Sequence, residues 1–163
     1  SQPPLLLCQS VTATISALEQ ARDLYRQSAQ AAVPADQLAL LTSIVGIGVY
    51  TASIISAEIG DITRFHSVAR LVAFTGFDPR VKQSGTSLNR NTRLTKRGSP
   101  HLRRAIFIGG NVARQHDPEL KAYYQAKRTA GTSHTAAMMP VCRKLIARIY
   151  SVCRRQTPYI RRA

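Results

Sequence analysis

Residues 80–104 constrain the possible folds of this chain more than any other segment. They contain eight Lys or Arg residues and no Asp or Glu. Apolar side chains are sparse before the segment's end, with Val81, Leu88 and Leu94 the main ones, so most of it cannot pack as an ordinary core element. A long polar stretch inside a compact domain is usually either functional or wrongly assigned as a loop, and we interpret this one as functional. The sequence therefore predicts a long basic loop with a binding role.

The positive charge is confined to one part of the chain. Residues 1–60 carry a balance of −2 (two basic, four acidic), and residues 61–163 carry +17 (21 basic, four acidic), which together give the net +15. Such asymmetry indicates a binding face for a polyanion, with nucleic acid as the leading partner. An anionic membrane surface is the competing partner, but it favours Trp or Phe beside the basic residues of an amphipathic helix, and that pattern is missing.

The cysteines argue for a reducing compartment. Cys8, Cys142 and Cys153 share no metal-ligand spacing, and the last two fall in a helical pattern that predicts buried thiols. No stretch approaches the roughly 18 apolar residues of a membrane span. We therefore expect a cytoplasmic protein without a membrane partner.

A helix is predicted over residues 12–31, with a narrow apolar stripe that includes Ile15, Leu18 and Tyr25. Pro34 ends it. The stripe suits a paired arm or a connector to another domain. The alternative, a helix that packs on the core of its own domain, is equally compatible with the pattern.

The next segment predicts two helices joined by Gly46-Ile47-Gly48. The first helix covers about seven residues before the turn, and the second begins near Tyr50. The glycines leave backbone N–H groups uncovered, and together with the following helix N-terminus these groups suit a phosphate, with Ile47 holding the turn to the core. The arrangement resembles a helix-hairpin-helix motif, including Thr51 after the second glycine. Alternatively, the glycines serve only close packing.

Further helices follow at clear boundary signals. A short helix ends at Gly76, a new one starts at Ser99-Pro100, and another starts at Asp117-Pro118. The expected apolar face of the Ser99-Pro100 helix comprises Leu102, Ile106, Gly109 and Val112. Arg103 and Arg104 gain nothing from the positive end of this helix, which suggests an anion bound nearby. The alternative is a pair of solvated arginines.

The final helix is predicted to be amphipathic. Val141, Leu145, Ile149 and Val152 share one arc, and Lys144, Arg148 and Arg155 share another. The basic side can be solvated or can contact a nucleic-acid backbone, and the sequence does not separate the two.

The residue types permit phosphoryl transfer by a hydroxyl nucleophile. Ser84-Gly85 offers a hydroxyl on a flexible backbone within the basic loop. The eight acidic residues show no cluster suited to a two-metal site, and the histidines show no zinc spacing. Hydroxyl residues nearby leave the choice of nucleophile open at this point. Charge stabilisation and nucleic-acid binding are expected from Arg93, Lys96, Arg97, Arg103 and Arg104.

An ordered set of motifs resembles the C-terminal domain of a bacterial insertion-sequence transposase family related to the Piv DNA invertase. The resemblance covers roughly residues 38–155, and it departs from the family at Ser99-Pro100, where Asn or Arg is common. The motifs are Gly46-Ile47-Gly48, Arg64-Phe65, Phe74-Thr75-Gly76-Phe77-Asp78-Pro79, Ser84-Gly85, Thr95-Lys96-Arg97-Gly98, Leu102-Arg103 and Arg143-Lys144-Leu145.

This resemblance implies a serine-dependent, RNA-guided recombinase that acts in insertion-sequence transposition. Ser84 would be the nucleophile, and the basic motifs would hold DNA. The family's N-terminal RuvC-like domain carries a DEDD acidic set that binds Mg²⁺. That domain is absent from this chain, so we expect no cofactor here and no activity of this segment alone. A structured guide RNA, a homo-oligomer and a nucleoid-associated location in a bacterium are also implied.

We therefore expect a mainly α protein with a connector helix or arm over residues 1–35 and a helical transposase domain over residues 36–163. The rival function is a non-catalytic helix-hairpin-helix module that binds nucleic acid, with Ser84 as an ordinary loop hydroxyl. A third candidate is a basic scaffold that binds only RNA.

Overall fold

The computed structural model describes residues 3–78 and 98–161, and these ranges are almost entirely helical. They contain no β-strand, which confirms the expectation of a mainly α fold. The helices are α1 (Pro3–Ala31), α2 (Ala35–Thr42), α3 (Val49–Ile59), a short 3₁₀ helix (Ile62–Arg64), α4 (Val68–Thr75), α5 (Pro100–His116), α6 (Pro118–Thr129) and α7 (His134–Arg155).

Helix α7 is the centre of the core, with α2, α4, α5 and α6 packed against it. Its predicted apolar arc is buried, with none of its members more than 3% exposed: Val141, Leu145, Ile149 and Val152. Cys142 and Cys153 are buried in the same helix, as predicted. Burial raises the pKa of the Cys142 thiol to about 12 and that of the Cys153 thiol to about 11. Both thiols are therefore inert core groups.

Helix α5 packs against α3, α6 and α7. Leu102, Ile106 and Gly109 are buried as predicted, but Val112 is 38% exposed, so that part of the prediction was wrong. Ala113 takes the core position because the buried side of α5 faces the turn between α2 and α3. Only a small side chain fits where these two backbones approach closely.

The predicted helix boundaries are confirmed by their caps. The Ser99 hydroxyl accepts hydrogen bonds from the N–H groups of His101 and Leu102 at the start of α5. Asp117 caps α6 by accepting from the Leu120 N–H at 3.0 Å. Gly76 ends α4 in the left-handed conformation, with φ of 75°. These three helix ends are therefore set by local signals in the sequence.

Helix α1 is longer than predicted, because it begins at Pro3 rather than near Thr12. Its main contact is with α3, and its partly buried residues lie between Ala21 and Gln30. The predicted apolar stripe is exposed, with Leu18 at 65% and Tyr25 at 78%. The stripe therefore adds nothing to the core of this domain. No helix in the two described ranges combines the length and the apolar character needed to cross a membrane.

Candidate nucleic-acid interface

Gly46 in the turn between α2 and α3 is required for close packing. Its φ is +95°, and a Cβ atom there would lie 2.4 Å from the carbonyl oxygen of Gly109 and 2.8 Å from the Cβ of Ala113. This is the packing role that the sequence left open as the alternative for the glycines. Ile47 is buried beside it, 4% exposed, so it anchors the turn to the core as predicted.

Gly48 has a different role. It is exposed, its φ of −85° is open to any residue, and no heavy atom lies within 4 Å of the position a Cβ would take. It precedes α3, whose N-terminus has no side-chain cap. The start of α3 is therefore uncovered, which is what binding of an anion at this helix end would need.

A cleft of about 440 Å³ opens beside this helix start. It brings together two of the predicted site residues, Thr51 and Arg104, and adds two arginines from α1 that the sequence reasoning missed. No local pattern could have indicated them, because α1 reaches the cleft only through its packing on α3. The lining comprises Arg22 and Arg26 of α1, Tyr50, Thr51 and Ile54 of α3, and His101, Arg104, Ala105 and Ile108 of α5.

The cleft has a surplus of positive charge. Asp23 lies 3.0 Å from Nε of Arg22 and 3.5 Å from Nη1 of Arg26, so one carboxylate serves two guanidinium groups. The hydrogen bond from Arg22 lowers the pKa of Asp23. The Arg26 guanidinium also lies 5.0 Å above the Tyr50 ring, and its buried Nε has no hydrogen-bond partner in the described ranges. Together with Arg104, the site carries three arginines against one carboxylate.

Arg103 and Arg104 are neighbours in sequence but differ in environment. Arg104 is exposed and lines the cleft, whereas Arg103 is half-buried and does not. Nη1 of Arg103 is buried and finds no hydrogen-bond partner within the described part of the chain. The first N–H groups of α5 are already occupied by the Ser99 hydroxyl.

The described residues on either side of the predicted basic loop both lie beside α4. Ser84, Arg93, Lys96 and Arg97 lie outside the described residues. On one flank, Phe77 is 1% exposed. On the other, Gly98 has φ of +106°, and a Cβ there would lie 1.9 Å from the carbonyl oxygen of Phe74. The two flanks therefore pack against the same end of the same helix.

A side-chain hydrogen bond links the loop's C-terminal flank to α3. The Ser99 hydroxyl donates to Oε1 of Glu58 at 2.8 Å while it caps α5. Close by, the guanidinium of Arg64 lies 4.7 Å from the ring centres of both Phe65 and Phe74. Sequence reasoning identified the cap but missed Glu58, because its partner lies 41 residues away in the chain.

The basic side of α7 is partly engaged inside the protein. Arg148 is 9% exposed, and its guanidinium donates to Asp117 at 2.7 Å and to Glu119 at 2.6 Å. Lys144 donates to Glu119 at 2.7 Å. Arg148 is thus neither solvated nor free to contact a nucleic-acid backbone, which corrects the two interpretations considered from the sequence. Arg155 remains exposed.

The pKa values of these carboxyl groups reflect their partners. Burial acts to raise the pKa of Asp117, but the hydrogen bonds from Arg148 and from the Leu120 N–H outweigh it and hold the pKa below the ordinary value. The hydrogen bond from Lys144, aided by Arg148 and opposed by burial, lowers the pKa of Glu119. Both groups are therefore ionised structural partners rather than candidates for proton transfer.

His101 and His134 differ in their surroundings. His101 lines the cleft, and Nδ1 of His134 lies 2.6 Å from the hydroxyl oxygen of Tyr124. Among residues 3–78 and 98–161, no group of three or more His, Cys, Asp or Glu side chains is arranged to hold a metal ion.

Comparisons with known proteins identify the family. Residues 38–125 match the model of the Transposase IS116/IS110/IS902 family, and the match starts where the resemblance was expected to start. The chain is 30% identical to the insertion element IS110 uncharacterized 43.6 kDa protein of Streptomyces coelicolor over 94% of its own length. It is 28% identical to the pilin gene-inverting protein of Moraxella bovis over 76% of its own length.

The chain spans 38% of the length of each of these two relatives. A third relative, the insertion element IS900 uncharacterized 42 kDa protein of Mycobacterium paratuberculosis, is 30% identical over 74% of the chain and 30% of that relative. The family match and the near-complete alignment with the Streptomyces protein agree. The chain belongs to the Transposase IS116/IS110/IS902 family.

Proposed function

We propose that this chain is the DNA-binding and strand-joining part of a transposase or site-specific recombinase, with Ser84 as its nucleophile. The observation that carries the proposal is a basic, Ser84-bearing sequence segment in a member of this family, whose described flanks both lie at the end of α4. Flanks that lie close together fix both ends of the intervening segment, so alignment of the Ser84 hydroxyl with a phosphorus atom would cost less entropy.

The proposed step is a transesterification. The Ser84 oxygen forms a bond to the scissile phosphorus as the bond from phosphorus to the leaving deoxyribose oxygen breaks. The serine proton passes to solvent or to a base, and the leaving oxygen takes up a proton. Attack by the hydroxyl of a second strand on the phosphoserine then reverses these changes and joins that strand. Basic residues of the loop, with Arg93, Lys96 and Arg97 among them, would neutralise the charge on the phosphoryl oxygens.

A Mg²⁺ ion is expected in the RuvC-like domain of the full-length protein. The described residues of this chain do not fit such an ion, since they include no cluster of three or more potential ligands. The ion would supply charge stabilisation from the other domain. The chain's own contribution is the hydroxyl, the cationic loop and the cleft.

Two partners besides DNA belong to the proposal. A structured guide RNA would share the polyanion-binding surface, since Coulomb attraction does not distinguish the two nucleic acids. A homo-oligomer is supported by α1, where Val11, Ile15, Leu18 and Tyr25 recur at spacings of four, three and seven residues and are all more than half exposed. Such a stripe suits pairing with another helix.

The second candidate function is a non-catalytic helix-hairpin-helix module. It is favoured by the uncovered start of α3 behind Gly48 and by the adjacent cationic cleft. In that case nucleic acid would bind at the α3 end, and Ser84 would have no chemical role.

Substitution of Ser84 in the full-length transposase separates the two functions. Ser84→Ala should abolish both recombination and the covalent adduct formed with strand-nicked target DNA, because no other atom would replace the attacking oxygen. Ser87→Ala is the matched control in the same loop and should retain both. The adduct is measured by denaturing electrophoresis with labelled DNA.

Recombination by the Ser84→Ala protein at the unaltered rate would exclude Ser84 as the nucleophile. If both serine variants bind DNA normally and the unaltered protein forms no adduct, the module function is the correct one.

A further inference from the structure

We infer that the cleft between α1, α3 and α5 binds a single unpaired nucleotide, with its phosphate on the arginines and its base on the apolar wall. This inference rests on the proposed nucleic-acid function but concerns a different place from the Ser84 loop. It assigns a specific ligand chemistry to a surface where sequence motifs indicated only general phosphate contact.

The cleft has two chemically distinct parts. Its cationic part consists of Arg22, Arg26 and Arg104, which approach from two helices and outnumber the single neighbouring carboxylate of Asp23. Guanidinium groups on either side of an opening suit a phosphate, which they can bind through paired hydrogen bonds. The Arg26 side chain as a whole is 43% exposed, so its guanidinium is accessible to a phosphate.

The other part is apolar. Ile54, Ala105 and Ile108 line it, and Ile108 is 47% exposed, so apolar surface in the cleft is open to a ligand. The Tyr50 ring stands beside them, also 46% exposed, with the Arg26 guanidinium above it. An aromatic ring next to arginines is the combination that holds stacked bases in proteins that bind single strands.

This composition favours an unpaired nucleotide over the backbone of a duplex. A duplex offers phosphates and sugars to a surface cleft while its bases remain stacked, so it would leave Tyr50 and Ile108 uncovered. An extruded or single-stranded base would cover both. The volume of about 440 Å³ lies within the usual range for small-ligand sites.

Occupation of the site would also fix the position of α1. Two of its three arginines belong to α1, whose main contact with the rest of the chain is α3. A phosphate shared between Arg26 and Arg104 would add a second link between this helix and the domain.

The experiment uses the 163-residue chain and pairs of hairpin oligonucleotides that differ by one unpaired nucleotide, prepared in DNA and in RNA. Affinities are measured by fluorescence anisotropy at constant salt. The unpaired position carries 2-aminopurine, whose emission can be read cleanly because the chain contains no Trp. We expect the bulged hairpin to bind about ten-fold tighter, which is typical of one stacked base, with quenching of the 2-aminopurine on binding.

Matched variants locate the effect. Tyr50→Leu should remove the ten-fold preference for the bulged hairpin, and Tyr50→Phe should retain it. Arg104→Gln should weaken binding of the bulged hairpin several-fold more than that of the paired one. Arg155→Gln removes an exposed charge outside the cleft and should weaken both equally.

Equal affinity of the unaltered chain for both hairpins would overturn the inference, as would a preference that survives Tyr50→Leu. Quenching in the unaltered chain provides a test that needs no variant, and its absence would count against the site. The DNA and RNA arms show which strand supplies the nucleotide. If the unaltered chain binds both hairpins equally, the cleft inference fails and the Ser84 proposal stays intact. If it binds no oligonucleotide at all, both proposals are contradicted.

Discussion

The guanidinium of Arg148 lies 2.7 Å from the carboxylate of Asp117, and the two side chains are only 10% and 1% exposed. Asp117 also caps α6, so a single carboxylate joins the start of α6 to the middle of α7. The ring of Tyr159 lies 4.8 Å from the same guanidinium, and the Tyr159 N–H donates to the Ser43 hydroxyl at 2.8 Å. Through Tyr159, the ion pair thus also contacts the segment that follows α7.

We predict that Arg148→Met destabilises the chain by about 3 kcal/mol, because it leaves a buried carboxylate without its counter-charge. Lys144→Met is the matched control on the same helix. The side chains of Lys144 and its partner Glu119 are 40% and 59% exposed, so the loss of unfolding free energy should be below about 1 kcal/mol. Urea unfolding followed by circular dichroism measures both. Equal losses of unfolding free energy in the two variants would show that the buried ion pair stabilises the fold no more than the exposed one.

We predict that stability falls at acid pH through Asp117. Its pKa in the folded chain lies below the ordinary value of 3.8, so the unfolded chain binds its proton more readily. The stabilisation is therefore complete above the ordinary pKa and is lost as pH falls through the lower folded value. Glu119 acts in the same direction.

Asp117→Asn keeps a capping side chain but cannot ionise. It should be less stable than the unaltered chain near neutral pH, and the difference should shrink as pH falls to about 3. Melting temperatures across this range provide the measurement. If the difference in melting temperature between the two proteins does not shrink at low pH, the stabilising role of the Asp117 charge is contradicted.

We predict opposite outcomes for the two glycines of the hairpin. Gly46→Ala should cost about 2 kcal/mol or more, because the new methyl group meets the Gly109 carbonyl and the positive φ is strained. Gly48→Ala should cost less than about 1 kcal/mol, since the position is open and its φ is ordinary. Thermal unfolding compares the two. If Gly48→Ala lowers the free energy of unfolding as much as Gly46→Ala does, the assignment of different roles to the two glycines is wrong.

Helix boundaries were predictable because their signals are local. Ser99 with Pro100, Asp117 with Pro118, and Gly76 each act on backbone groups within a few residues, so the chain itself encodes these ends. The start of α1 was placed too late because the prediction followed the apolar stripe that begins at Ile15, and the helix extends back to Pro3. Val112 was misplaced because the buried arc of α5 is set by its neighbours rather than by its own pattern.

By itself the sequence determined the helical class, the order and ends of most helices, the buried arc of α7 and the motifs that indicate the family. Each depends on periodicity or on groups that are close along the chain. Only the tertiary structure decided that Arg148 donates its hydrogen bonds to Asp117 and Glu119. It also decided that Gly46 packs on Gly109, and that Arg22 and Arg26 line the same cleft as Arg104. These relationships join distant segments, and their energies depend on burial and on partners that appear only when the helices pack.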